Sequence, residues 1–193
     1  MASDGATIRH ATRDDVETIF SLIHALAAYE KASSSVHATP ALLSQTLAFH
    51  DPTTSTFTPG YARTFLITAP DAANTVAGMA LYFYNYSTWT GVPGVYLEDL
   101  FVKPEFRNRG YGKALIQACA SEVIRIGGKR LEWSCLDWNE ASLKFYEGLG
   151  AQRKGEWVGL RAEGAALERL AGVGEGVEGS GGAVGRGEGE WKE

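Results

Sequence analysis

Between Leu97 and Ala114 the chain reads L-E-D-L-F-V-K-P-E-F-R-N-R-G-Y-G-K-A, and this stretch constrains the fold more than any other. A β-rich run, Val95–Val102, ends against Pro104, and a short loop leads to Gly110 and Gly112. Beyond them Tyr111, Leu115, Cys119, Glu122-Val123 and Ile126 recur at helical spacing until Gly127-Gly128. The spacing predicts a strand, a tight loop and a long helix with one face turned to a core. The first turn of a helix has backbone N–H groups without intrahelical partners and the positive end of the macrodipole. Glycines at that point let a bulky anion approach the main chain, so the segment reads as a phosphate-binding helix start. It is neither a Walker loop, lacking G-x-x-x-x-G-K-[ST], nor a dinucleotide fingerprint, lacking G-x-G-x-x-G.

The remaining elements fit around it. Ile8-Arg9 reads as a first strand, and Thr12 to Asp15 has the form of a capping box. Val16, Ile19, Phe20, Ile23, Leu26 and Ala27 then mark a helix ending near Tyr29-Glu30. Thr39-Pro40 predicts a second helix through Phe49, and Asp51 to Gly60 a loop. Ala62–Ala69 and Thr75–Tyr86 read as an antiparallel pair, and Ser87–Gly94 as a loop carrying Trp89. Arg130–Cys135 reads as a strand, and Asn139 caps a short helix through Tyr146, closed by Gly148. One or two strands are expected before Leu160 and a helical turn or two over Ala165–Leu170. The order predicts a single mixed α/β domain over residues 1–171, with a mostly antiparallel central sheet flanked by helices.

Charge and cysteine content narrow the function classes. The net charge is -5, with 18 basic and 23 acidic residues. Glycine numbers 23, and nine of these lie between Gly172 and Gly189. That segment holds an excess of glutamates, so residues 172–193 are expected to be a disordered acidic tail. The nearly neutral body offers no basic field for nucleic acid. Cys119 and Cys135 form no disulfide framework, and the four histidines show no metal-ligand spacing, so no metal is expected. The start has no signal-peptide pattern, and no stretch reaches about 18 apolar residues. The expectation is no membrane association and a cytoplasmic chain, with a nuclear location as the second reading.

The spacing Arg107-x-x-Gly110-x-Gly112 resembles the pyrophosphate loop of the GNAT acetyltransferase superfamily, Arg/Gln-x-x-Gly-x-Gly/Ala. Downstream, Asp137 to Ala151 resembles that superfamily's N-x-x-A/S-x-x-x-Y-x-x-x-G segment. The resemblance implies a GNAT fold and acetyl-CoA as cosubstrate. It implies coenzyme contacts from Leu100, Phe101 and Val102, from Arg107, Asn108, Arg109, Gly110, Tyr111, Gly112 and Lys113, and from Asn139, Ser142 and Tyr146. In that pattern the residue matching Asn139 contacts the pantetheine arm, and the one matching Tyr146 lies near the sulfur and acts as general acid.

The run Tyr82 to Gly91, followed by Val95 to Asp99, is similar to the diamine (spermidine/spermine) branch and its thialysine-acetylating relatives, as is Tyr29-Glu30. The resemblance extends from about Ile8 to Ala171. It implies that Glu98 acts as base through water, that Tyr29, Glu30 and Trp89 contribute to an amine site, and that the chain is a homodimer. Ser87 stands where polyamine-preferring members carry an acid, which is closer to the thialysine type.

The chemistry fits these residue types. An alkyl ammonium with pKa near ~10.4 must lose a proton before it can attack, which a carboxylate assists. A phenol near ~10 can protonate a departing thiolate. Cys119 and Cys135 are expected to be buried packing residues, and Asp99, next to Glu98 on a strand, to point to the opposite face as a surface or dimer-contact acid. Two other readings stay open: acetylation of protein amines, and a non-catalytic acetyl-CoA-binding module.

Overall fold

A computed structural model describes residues 5–71 and 73–173; of the tail expected over residues 172–193, all beyond Val173 lies outside the described residues. The chain divides into two compact units, residues 1–140 and 141–193.

In the first unit, β1 (Thr7–His10) is followed by α1 (Val16–Tyr29), α2 (Pro40–Thr46) and a small hairpin of β2 (His50–Asp51) and β3 (Thr56–Phe57). Then come β4 (Arg63–Thr68), β5 (Val76–Ser87), β6 (Val92–Val102), α3 (Tyr111–Arg125) and β7 (Leu131–Trp133). The sheet order is β1-β4-β5-β6-β7. All neighbours are antiparallel except β6 and β7, which are parallel. The inner strands β4 and β5 are buried on both faces for most of their length, so they read as continuous apolar runs rather than alternating ones. Val16, Ile19 and Leu22 of α1 pack with Leu66, Met79, Leu81 and Phe101 in one core cluster. On α3, Tyr111, Leu115, Cys119 and Val123 are buried. Each large apolar side chain so buried stabilises the fold by about 1.5–3 kcal/mol.

Both long helices close in Schellman turns. At the end of α3 the Gly128 N–H donates to Val123 O and the Gly127 N–H to Ile124 O, with Gly127 at φ +71°, as its sequence position predicts. At the end of α1 the Ala32 N–H donates to Ala27 O and the Lys31 N–H to Ala28 O. Here lysine, not glycine, holds the left-handed position, at φ +60°. A side chain there costs roughly 1 kcal/mol against glycine.

Several boundaries differ from expectation. α2 stops at Thr46, because Leu47 turns into a bridge with Ala62 and Phe49 turns into the core. The expected loop from Ser87 to Gly94 is only the four-residue turn 88–91, since Ser87 pairs with Val92 and Tyr86 with Pro93. Cross-strand pairing overrides Pro93 and Gly94 there. The loop from Asp51 to Gly60 contains the β2–β3 hairpin, and the strand from Arg130 to Cys135 contracts to β7.

From the unit boundary onward, α4 (Glu140–Gly148) and α5 (Ala165–Leu170) are helical, as expected. No strand forms over residues 151–160. Gly155 and Gly159 interrupt that segment, and Trp157, Val158 and Leu160 stay exposed, so no second strand or core face rewards extension.

Candidate active site

The β5–β6 ladder contains an irregularity that local sequence does not announce. Leu81 pairs with Asp99 but Tyr82 pairs with Leu97, so Glu98 is an extra residue on β6. This bulge breaks the alternation that would separate Glu98 from Asp99. Glu98 is exposed and Asp99 half-buried. Burial, and then the neighbouring Glu98 and Glu30 carboxylates, push the Asp99 carboxyl up to about 6. Asp99, expected as a surface or dimer-contact acid, is half-buried and shares an acidic group formed by β6 and the end of α1. Burial also raises the Glu30 carboxyl.

Beyond the bulge β6 has a free edge. Its parallel ladder to β7 covers only Val95–Leu97, and among the described residues no strand pairs with that edge of Glu98–Val102. The chain then passes through the loop that opens α3. Gly110 precedes the helix at φ +81°, in the left-handed region, and a Cβ built on it would meet no atom within 4 Å. Open space thus lies over a helix start with its first-turn N–H groups, in a conformation that favours glycine. This is the cradle a pyrophosphate requires, and the residues present fit one. Asn108 is also left-handed, at φ +61°. Arg107, Asn108, Arg109 and Lys113 are exposed around the loop, Gly112 is half-buried and Tyr111 is buried beneath it.

Arg107 joins this loop to the acidic group's helix. Its Nε–H donates to Val102 O at 3.0 Å, and its guanidinium lies 4.7 Å from the Tyr29 ring centroid. Tyr29, Glu30, Glu98, Asp99 and Arg107 are thereby gathered around the ends of α1 and β6. Asn139 is buried, one residue before α4. Trp89 stands apart, at the tip of the β5–β6 turn and 88% exposed. Glu98 is six residues along β6 from Val92, or about 20 Å at ~3.3 Å per residue.

Tyr146 and Ser142 belong to the second unit. Both are half-buried, and the Tyr146 ring lies 5.3 Å from that of Phe145, tilted by 52°.

Cys119 is buried, as expected, but Cys135 is only half-buried. Burial and the nearby Glu122 push the Cys119 thiol up to about 12, which removes it as a ready thiolate. Among the described residues no group of three or more His, Cys, Asp or Glu is arranged to hold a metal.

The sequence reading missed a polar network on the α3 side of the sheet. Glu122 is buried and accepts hydrogen bonds from the Tyr84 hydroxyl, from Arg125 at 2.6 and 2.7 Å, and from Arg63 at 3.4 Å. These partners, Arg125 first, pull its carboxyl down to about 2 against the effect of burial. Close by, His10 Nε2 lies 3.0 Å from the Tyr82 hydroxyl, and burial lowers His10 to about 4. A cavity of about 310 Å³ is lined here by residues that include Phe57, Tyr61, Arg63, Tyr82 and Tyr84. None of the sequence-predicted site residues lines it. The one legible signal was an acid, Glu122, on the repeating apolar face of α3.

A strand that loses one neighbour beside a glycine-opened helix, with an acidic bulge at the point of separation, is a scaffold suited to transfer of a group from a pyrophosphate-bearing carrier. The comparisons with known proteins agree. The model of the Acetyltransferase (GNAT) family matches residues 36–151, more than half of the chain. The chain belongs to the GNAT acetyltransferase family and is an N-acetyltransferase. That match crosses the boundary between the two units and ends at residue 151.

The chain is similar to the thialysine N-epsilon-acetyltransferase of Bos taurus, 37% identical over 86% of this chain and 96% of that protein. It is also similar to an L-ornithine N5-acetyltransferase of Arabidopsis thaliana, 32% identical over 84% of this chain and 86% of that one. Among solved structures, a Vibrio cholerae integron cassette protein superposes with a TM-score of 0.67 at 23% identity, over 89% of this chain and 98% of that one. An aminoglycoside N-acetyltransferase in complex with CoA superposes with a TM-score of 0.61 at 20% identity, over 82% of this chain and 95% of that one. These two likenesses show the fold.

Proposed function

We propose that this chain transfers an acetyl group from acetyl-CoA to the primary amine of a small cationic molecule, of the lysine-like amino-acid or diamine class. The observation that carries this reading is the convergence of Glu30, Glu98 and Asp99 beside the loop that opens α3. A group of carboxylates attracts an ammonium, and one that is ionised can take its proton. The names of the relatives, thialysine and ornithine acetyltransferases, support the same substrate class. Ser87 stands where polyamine-preferring members of the similar branch carry an acid, which supports the amino-acid type over long polyamines.

In this reading the backbone N–H groups of the Gly110–Lys113 turn and the Arg107 side chain hold the pyrophosphate. Leu100, Phe101, Val102, Asn108, Arg109, Asn139 and Ser142 line the rest of the coenzyme. The coenzyme supplies the activated acetyl group. Tyr29 and Glu30 contribute to the amine site, and Trp89, at the far end of the β5–β6 ladder, does not. Glu98 removes the ammonium proton through water, which at pH 7 has to offset roughly 4–5 kcal/mol for an amine of pKa ~10.4. A free backbone N–H on the open edge of β6 stabilises the charge that develops on the carbonyl oxygen. Tyr146 returns a proton to the departing sulfur. The transfer is direct, with no acetyl-enzyme, in keeping with a buried Cys119 thiol whose ionisation burial disfavours.

The test is a thiol-release assay with acetyl-CoA against thialysine, L-ornithine, spermidine and a lysine peptide. Turnover of the first two at the highest kcat/KM supports the proposal. Preference for the peptide would favour acetylation of protein amines instead, and coenzyme binding without any turnover would favour a regulatory module. Glu98→Gln and Tyr146→Phe should each lower kcat about a hundredfold or more. We propose a homodimer and a cytoplasmic location as part of this reading. Light scattering that gives a mass near the 20.8 kDa of one chain would exclude the dimer.

A further inference from the structure

The residues that follow the last turn of α1 are held from two sides. Arg107, from the loop that opens α3, lies over Tyr29 at 4.7 Å. Two residues on, the Lys31 Nζ lies 5.6 Å from the centroid of the Trp138 ring. Trp138 immediately precedes Asn139, so this second contact comes from the segment leading into α4. Tyr29 and Glu30 thus sit between two cation–aromatic contacts, one made to each of the two loops assigned to the coenzyme.

Lys31 occupies a backbone position that argues for its side chain. It is the left-handed residue of the Schellman turn, at φ +60°, where glycine fits without strain. The helix would close as well or better with glycine. A lysine at a strained position, its ammonium over an aromatic ring, gives the side chain a contact that offsets the backbone cost. Trp138 is 50% exposed and Lys31 is exposed, so the pair adds little to global stability. Its effect is local: it restricts where the chain leaving α1, and with it Glu30, can lie.

We propose that Lys31 and Trp138 are positioning residues for the amine site, setting Tyr29 and Glu30 through the Lys31–Trp138 contact while Arg107 sets them from the other side. The inference rests on the acetyltransfer reading above and assigns neither residue a role in the chemical step. It separates positioning from structural support, because the backbone strain and the side-chain contact pull in opposite directions.

The test uses the full chain with saturating acetyl-CoA and whichever of thialysine and L-ornithine the wild type acetylates faster. Lys31→Gly should raise the melting temperature, since the strain is relieved, and still raise the amine KM about two- to fivefold, as expected for loss of one exposed cation–π contact. kcat should stay within twofold, and Lys31→Arg should restore the wild-type KM. Trp138→Leu should raise the amine KM by the same factor, and the double variant Lys31→Gly/Trp138→Leu by no more than the larger single effect. An unchanged amine KM in Lys31→Gly, or a double variant whose factor is the product of the singles, would overturn the proposal. So would a KM rise accompanied by a lower melting temperature in Lys31→Gly. Failure of the functional reading shows elsewhere, as a wild-type chain that acetylates neither amine.

Discussion

Glu122 holds two guanidiniums and a phenol at the centre of the α3 face, and exchanging it for glutamine isolates that contribution. The change keeps shape and hydrogen-bonding capacity but removes the charge shared by Arg63, Arg125 and Tyr84. The carboxyl is held at about 2 against an ordinary 4.5. At about 1.4 kcal/mol per factor of ten, that difference corresponds to roughly 3 kcal/mol of stability. It agrees with the ~3–5 kcal/mol typical of removing one partner of a buried ion pair. Arg125 is 62% exposed, so salt screens part of its share and about 2–3 kcal/mol is the expected loss at pH 7. For a domain of this size that lowers the melting temperature by about 4–12 °C. The sign with pH follows from the depressed carboxyl. Its contribution is complete above 4.5 and is lost as pH falls towards about 2. The gap between wild type and Glu122→Gln should therefore narrow by about 1 kcal/mol between pH 7 and pH 4, measured by urea unfolding at both values. A loss below about 1 kcal/mol at pH 7, or a gap that widens on acidification, would refute the argument.

Asp99 predicts the opposite sign. Its carboxyl is raised to about 6 from an ordinary 3.8, so ionisation destabilises the fold as pH rises between those values. Asp99→Asn should stabilise the chain at pH 7 by about 1–3 kcal/mol and abolish any limb of the pH–rate profile near 6; a less stable variant would contradict the burial described. His10, lowered to about 4 by burial, contributes stability that is present above 6.5 and lost as pH falls towards 4. His10→Gln should flatten the unfolding free energy across that window, and an unaltered slope would show that the ring is solvated. Gly110→Ala forces a side chain into the left-handed region at φ +81°. It should cost about 1 kcal/mol in melting experiments and raise the acetyl-CoA KM more than the amine KM, whereas equal effects would exclude the α3 start as the coenzyme loop.

Features that depend on a few consecutive residues were legible without a structure. Gly110 and Gly112 before an apolar face of 3.6-residue period specify a helix start open to an anion, and Gly127-Gly128 specify its end, because backbone permissiveness and periodicity are local properties. The same holds for the capping box at Thr12–Asp15 and for α1. Features that depend on pairing between distant segments were not. The bulge at Glu98 reverses the parity of everything after it on β6, and L-E-D contains no sign of where β5 slips in register. Strand alternation therefore separated Asp99 from Glu98, while the fold joins them. The periodicity of α3 showed Glu122 facing inward, but Arg63 reaches it from 59 residues away, and only the packing of β4 against α3 supplies that partner. Lys31 and Trp138 meet across more than a hundred residues for the same reason. Local sequence sets which backbone conformations are affordable; the tertiary structure decides which charges end up neighbours, since that depends on desolvation and on contacts between segments remote in the chain.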